Sequence, residues 1–86
     1  MNLEERVEKY IAKVEAALKA VEGQRLNLAI ESSKAAYVLE LARMYWEDAM
    51  YFREKGDLGT ALATVSYSEG LLDALRIMGV VEFEWV

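Results

Sequence analysis

The chain contains no cysteine, histidine or proline. Without cysteine there are no disulfides, thiolate nucleophiles or thiolate metal sites. Without histidine the commonest general base and the commonest transition-metal ligand are both missing. Bundle-type ribonucleases that pair an Arg with a His on one helix are excluded for the same reason. The absence of proline fits long helices joined by short links. Positive charge is scarce: Lys and Arg number 10 against 15 Asp and Glu, a net charge of −5. A general basic footprint for nucleic acid or an anionic membrane is therefore lacking, apart from a local group of Lys19, Arg25 and Lys34. No apolar run approaches the roughly 18 residues of a membrane span, and the first residues lack the basic-then-apolar pattern of a signal peptide. These absences lead us to expect a cytoplasmic protein with no membrane partner.

What is present is apolar and helical in pattern. Hydrophobic residues make up 55% of the 86 residues, enough for one small domain whose helices must pack efficiently or borrow area from a partner. Asn2 is placed to cap a first helix over about 3–22, with Glu5 at its third position and acids at the positive end of its dipole. Leu3, Val7, Tyr10, Val14, Ala17 and Val21 alternate spacings of four and three, widened by Ile11 and Leu18, which gives one buried face. Gly23 stops the helix.

A second helix is predicted over about 28–55, capped by Asn27, with a later start at Ser32-Ser33 as the alternative. Ala35, Val38, Ala42, Tyr45, Ala49 and Phe52 form its seam, and Glu40, Arg43, Glu47 and Glu54 its wet stripe. Gly56 ends it and Asp57 caps a third helix over about 58–78, which Gly79 stops. Val81, Phe83 and Trp85 then alternate with Glu82 and Glu84, so the tail over 80–86 reads as extended. Short links make neighbouring helices antiparallel, and the expected fold is all-α: an up-down-up three-helix bundle.

Two resemblances meet at the second turn. Ala49, Phe52, Gly56-Asp57-Leu58, Ala61-Leu62 and Val65 resemble the inter-helix turn of a tetratricopeptide repeat, but one copy does not make the array such repeats need. The run from Asp48 to Asp57, followed by Ala61-Leu62-Ala63, Ser66-Tyr67, Gly70 and Leu72-Asp73-Ala74, resembles an archaeal family of small helical proteins, domain of unknown function 357. That likeness covers the C-terminal half and implies an archaeal origin and a compact helical bundle, with no established activity. It also suggests an accessory role beside nucleotidyltransferase-like proteins.

Candidate chemistry is sparse. Helix levels across the second turn put Asp48 beside Val65 and Ser66, and Asp73 beside Glu40 and Leu41. Glu40 with Asp73 could pair as acids or hold a divalent cation; the preferred reading is a solvated edge where Asp73 pairs with Arg76 or accepts a hydrogen bond from Tyr37. Asp48 could contact a ligand near Tyr45, Tyr51 and Tyr67, or accept a hydroxyl across the hairpin. The hydroxyls of Thr64, Ser66 and Ser68 lack an activating base, and Gly56-Asp57-Leu58-Gly59 is too short for a phosphate loop. Mid-helix Gly70 is best explained by close approach of another helix or a bulky ring. No cofactor and no catalytic residue are expected.

The remaining signal is an interface. If the first link is short, the last turns of the second helix overhang the first, and Trp46, Met50, Leu58 and Leu62 form an exposed apolar patch. A start near Ser33 would instead let the first helix slide along and cover them. Phe83 and Trp85 are a second candidate, unless the tail folds back onto the first helix. The sequence is read as an interaction or accessory module, self-associating or partner-binding, and not an enzyme. The alternative is a small-ligand or divalent-cation binder using Asp48, Tyr67, Asp73 and Glu40.

Overall fold

Three helices form in the computed structural model: α1 (Leu3–Val21), α2 (Ser32–Glu54) and α3 (Leu58–Ile77). The structure describes residues 1–25 and 32–85, so the predicted Asn27 cap and the stretch 28–31 lie outside the described residues. The all-α three-helix bundle is the expected fold. The starts of α1 and α3 are capped as the residue types require. Asn2 Oδ1 accepts the Glu5 amide at 2.7 Å, and Asp57 Oδ1 accepts the Thr60 amide at 3.2 Å.

Two helices end in the same glycine motif. Gly56, at φ +79°, donates to the Arg53 carbonyl at 3.0 Å while Asp57 N–H reaches back to Phe52 at 2.9 Å. Gly79, at φ +75°, donates to Arg76 at 3.0 Å while Val80 N–H reaches Leu75 at 2.9 Å. Both satisfy carbonyls that a helix end leaves open, in a conformation that favours glycine. Val80 and Leu75 share a buried cluster, the apolar contact this motif usually brings.

α2 and α3 make an antiparallel hairpin whose seam is small. Ala35, Ala42, Ala49, Ala61 and Val65 are fully buried, and side chains this short let the backbones approach closely. Ser68 uses that proximity: buried on α3, its Oγ donates to the Ala42 carbonyl at 2.6 Å. The Tyr45 and Tyr67 rings, 4.6 Å apart, fix the same level.

α1 lies in the groove on one side of this hairpin, with Val7, Ile11, Val14, Ala17, Leu18 and Val21 buried. Its register is set by Trp46, whose indole N–H donates to the Ile11 carbonyl at 3.2 Å, and by Arg53, 3.2 Å from Glu8. The beginning of α1 is therefore level with the last turns of α2, and the expected overhang does not form. The tail returns to the other end of α1. Gln24 Nε2 donates to the Glu82 carbonyl at 2.6 Å, and Glu82 N–H donates to Gln24 Oε1 at 3.0 Å. Val81 is buried and Phe83 and Trp85 are half-buried, with Glu82 and Glu84 exposed between them, so the alternation in the sequence becomes an inside and an outside.

Candidate functional site

Trp46, Met50, Leu58 and Leu62 are half-buried and pack against the main core. Because α1 reaches the end of α2, these side chains form the seat of α1 and not an open patch. Phe83 and Trp85 also pack on the core, ring centroids 4.7 Å apart and nearly perpendicular. Trp85 is the centre of a polar clasp. Its indole N–H donates to Asp73 Oδ1 at 2.9 Å, and the Lys13 ammonium lies 4.9 Å from its ring centroid. Lys13 in turn sits 2.6 Å from Glu69, the charge partner of that buried carboxylate oxygen. The tail thus bridges α1 and α3.

Of the four proposed ligand residues, two are taken by neighbours. Asp73 accepts from Trp85 and, at 2.9 Å, from Arg76. Those two hydrogen bonds, the indole first, hold its carboxyl below the ordinary aspartate value, against the opposing effect of burial. Glu40 lies 3.9 Å from Arg43. It is exposed on α2, while Asp73 is drawn to Trp85 and Arg76 on the side of α3 that carries the tail. Level along the hairpin, Glu40 and Asp73 do not converge. Asp48 and Tyr67 are exposed, and the Tyr67 ring lies against Tyr45. Among the described residues no group of three or more acids is placed to hold a metal ion. A cleft of about 550 Å³ lies between the end of α3 and the tail, lined by Arg76, Gly79, Val81, Glu82, Phe83 and Glu84. One cation between two acids, over backbone and a ring edge, gives it no convergent chemistry.

The feature that sequence reasoning passed over is the other side of the hairpin, away from α1. On α2, Tyr37, Met44 and Tyr51 are 64, 48 and 57% exposed. They recur every seven residues, about half a turn from the Ala35, Ala42 and Ala49 seam. Tyr67 on α3 joins them at 56% exposure, with Ile77 at 71% towards the far end. Between them α3 presents exposed Gly59, Ala63, Gly70 and Ala74. A Cβ at Gly59 or Gly70 would meet nothing within 4 Å, so the ring or helix expected against Gly70 is not found among the described residues. The charged residues of α3, Glu69, Asp73 and Arg76, lie on the side that carries the tail. The seven-residue spacing of Tyr37, Met44 and Tyr51 was the available signal. It is obscured because α2 has apolar residues on more than one side.

None of the helices, over the described residues, is long and apolar enough to cross a membrane. No curated protein and no solved structure matches the chain. A family model described as protein of unknown function (DUF357) matches residues 9–81, nearly the whole bundle from the middle of α1 to the start of the tail, and the chain belongs to that family.

Proposed function

We propose that this protein is an interaction module working inside the cell, as a self-associating unit or an accessory subunit. One observation carries the reading: the exposed row of Tyr37, Met44 and Tyr51 beside Tyr67, over a stretch of α3 that bears small residues and no charge. Single exposed apolar residues are ordinary, but several large ones recurring along one side of a two-helix hairpin, here with Glu40, Glu47 and Asp48 between those of α2, mark a surface for a partner. Aromatic and Met side chains are also the types that protein interfaces concentrate. The ligand reading has less behind it, because Asp73 and Glu40 already have arginine partners. An accessory role beside a nucleotidyltransferase-like protein and an archaeal origin remain implications of the resemblance.

The test is capture of the tagged protein from lysate of its own host, at moderate salt, with mass-spectrometric identification. A stoichiometric partner, another protein or untagged chain, should be retained and then lost on Met44→Glu or Tyr51→Glu. Recovery of the same material with both variants would refute the role of this face.

A further inference from the structure

The outer face of the α2–α3 hairpin has the shape and area to be covered by its own copy. Resting on the interaction reading, we propose that it is a two-fold interface in which α2 of each copy lies antiparallel over α3 of the other.

Area comes first. Tyr37, Met44, Tyr51, Tyr67 and Ile77 are 48 to 71% exposed. At roughly 200 Å² for a large side chain they leave on the order of 600 Å² in water, before Ala63, Ala74 and the two glycines are counted. A standard interface takes about 800 Å² from each partner.

Shape comes second. The large side chains Tyr37 and Tyr51 of α2 fall at the levels where α3 carries Ala74 and Gly59, so the face is complementary to itself when α2 meets α3, with Met44 against Tyr67 the one large-on-large contact. A two-fold axis running along the hairpin in the plane of the interface does this, and it keeps the levels already fixed within one chain. Those levels follow from the Tyr45–Tyr67 ring pair and the Ser68–Ala42 hydrogen bond. Tyr37 then falls opposite Ala74 of the second copy, Leu41 opposite Gly70, Met44 opposite Tyr67, and Tyr51 opposite Gly59 and Thr60. The register has no free parameter. Gly70 also gains a reason: an exposed mid-helix glycine weakens α3 and meets nothing among the described residues of its own chain, whereas here it receives Leu41.

Charge comes third. The other face-to-face two-fold stacks α2 on α2 and brings the Glu40, Glu47 and Glu54 edges of two acidic chains together. The arrangement proposed sends those edges to opposite corners. Asp48 lies inside the face, opposite Ala63, while Glu40 and Glu47 flank the Tyr37, Met44 and Tyr51 row on its far side. Burial of Asp48 opposes association, as a polar residue in a helical seam sets register at a cost in stability.

Sedimentation equilibrium over a concentration series tests this, with circular dichroism as the check on folding. The wild type should weigh twice the chain mass at high concentration. Met44→Glu, at an exposed position, should weaken association at least tenfold with helicity unchanged. Asp48→Asn should strengthen it severalfold, a direction that damage to the fold would not produce. A wild type that stays monomeric to about 1 mM, the weak limit of measurable affinity, would overturn the proposal. So would a dimer indifferent to both variants. The interaction reading fails separately. If the chain is monomeric yet captures a different protein that Met44→Glu releases, the second copy is wrong and the interaction face stands. If neither occurs, both fall.

Discussion

Replacing Gly70 with alanine should stabilise the folded monomer. Gly70 lies inside α3 and is not among the glycines with positive φ, which are Gly23, Gly56 and Gly79. The added methyl would meet nothing within 4 Å, so there is no steric cost in the single chain. What changes is the unfolded state: alanine has fewer backbone conformations to lose, which favours the helix by about 1 kcal/mol. For a domain of this size that corresponds to a rise of roughly 4–8 °C in the melting temperature. In urea the midpoint should move up by roughly 0.5–1 M with an unchanged slope. The measurement belongs in dilute protein, where association does not contribute. Gly56→Ala is the control of opposite sign, because φ +79° is strained for any residue with a Cβ, and it should cost about 1 kcal/mol. A Gly70→Ala protein that is unchanged or weaker in dilute solution would refute the claim that this helix position is open. At high concentration the same methyl intrudes where Leu41 of the second copy is placed, so the variant should be the more stable chain and the poorer dimer.

Leu72→Ala removes one of the largest fully buried side chains and should cost about 2–5 kcal/mol. A chain this size holds roughly 4–13 kcal/mol in total, so urea denaturation should show a severe loss or an unfolded protein; a change below about 1 kcal/mol would contradict the core described. Asp57→Ala removes the α3 cap and should lower stability by about 1 kcal/mol, whereas Asp57→Asn should nearly preserve it in the same denaturation assay. The clasp of the tail should respond to acid. The Asp73 carboxyl titrates below its ordinary value of 3.8 in the folded chain, so its contribution is complete above that value and is lost as pH falls through the lower, folded one. Trp85 fluorescence in a Trp46→Phe background should therefore hold steady down to about 3.8 and change only below it. Asp73→Leu should give the released signal at every pH; a transition at the ordinary aspartate value would refute the hydrogen bond to Trp85.

The termini of the helices were the most legible part of this chain, because caps and glycine stops act within a few residues. Asn2, Asp57, Gly56 and Gly79 could be assigned without knowing what packs against them, and the structure uses each accordingly. The alanine seam of α2 and the level of α3 on it were legible too, since the three-residue turn Lys55-Gly56-Asp57 leaves little freedom. Ser68 was harder. As one of four Ser and Thr residues on α3 it looked like its neighbours, and only the close backbone of Ala42 makes it a buried donor.

Local sequence determined the number of helices, their stops, the face that each of α1 and α2 buries and the in-out alternation of the tail, because each is a short-range property of periodicity and capping. Tertiary structure decided how far α1 travels along the hairpin, and that one displacement reassigned the candidate site. With Ile11 under Trp46 and Glu8 beside Arg53, the residues nominated as an open patch became the seat of α1. The uncovered surface moved to Tyr37, Met44 and Tyr51 on the opposite side. Sliding a helix along a groove changes no local preference. It changes which apolar side chains find a partner, and only the packed chain settles that.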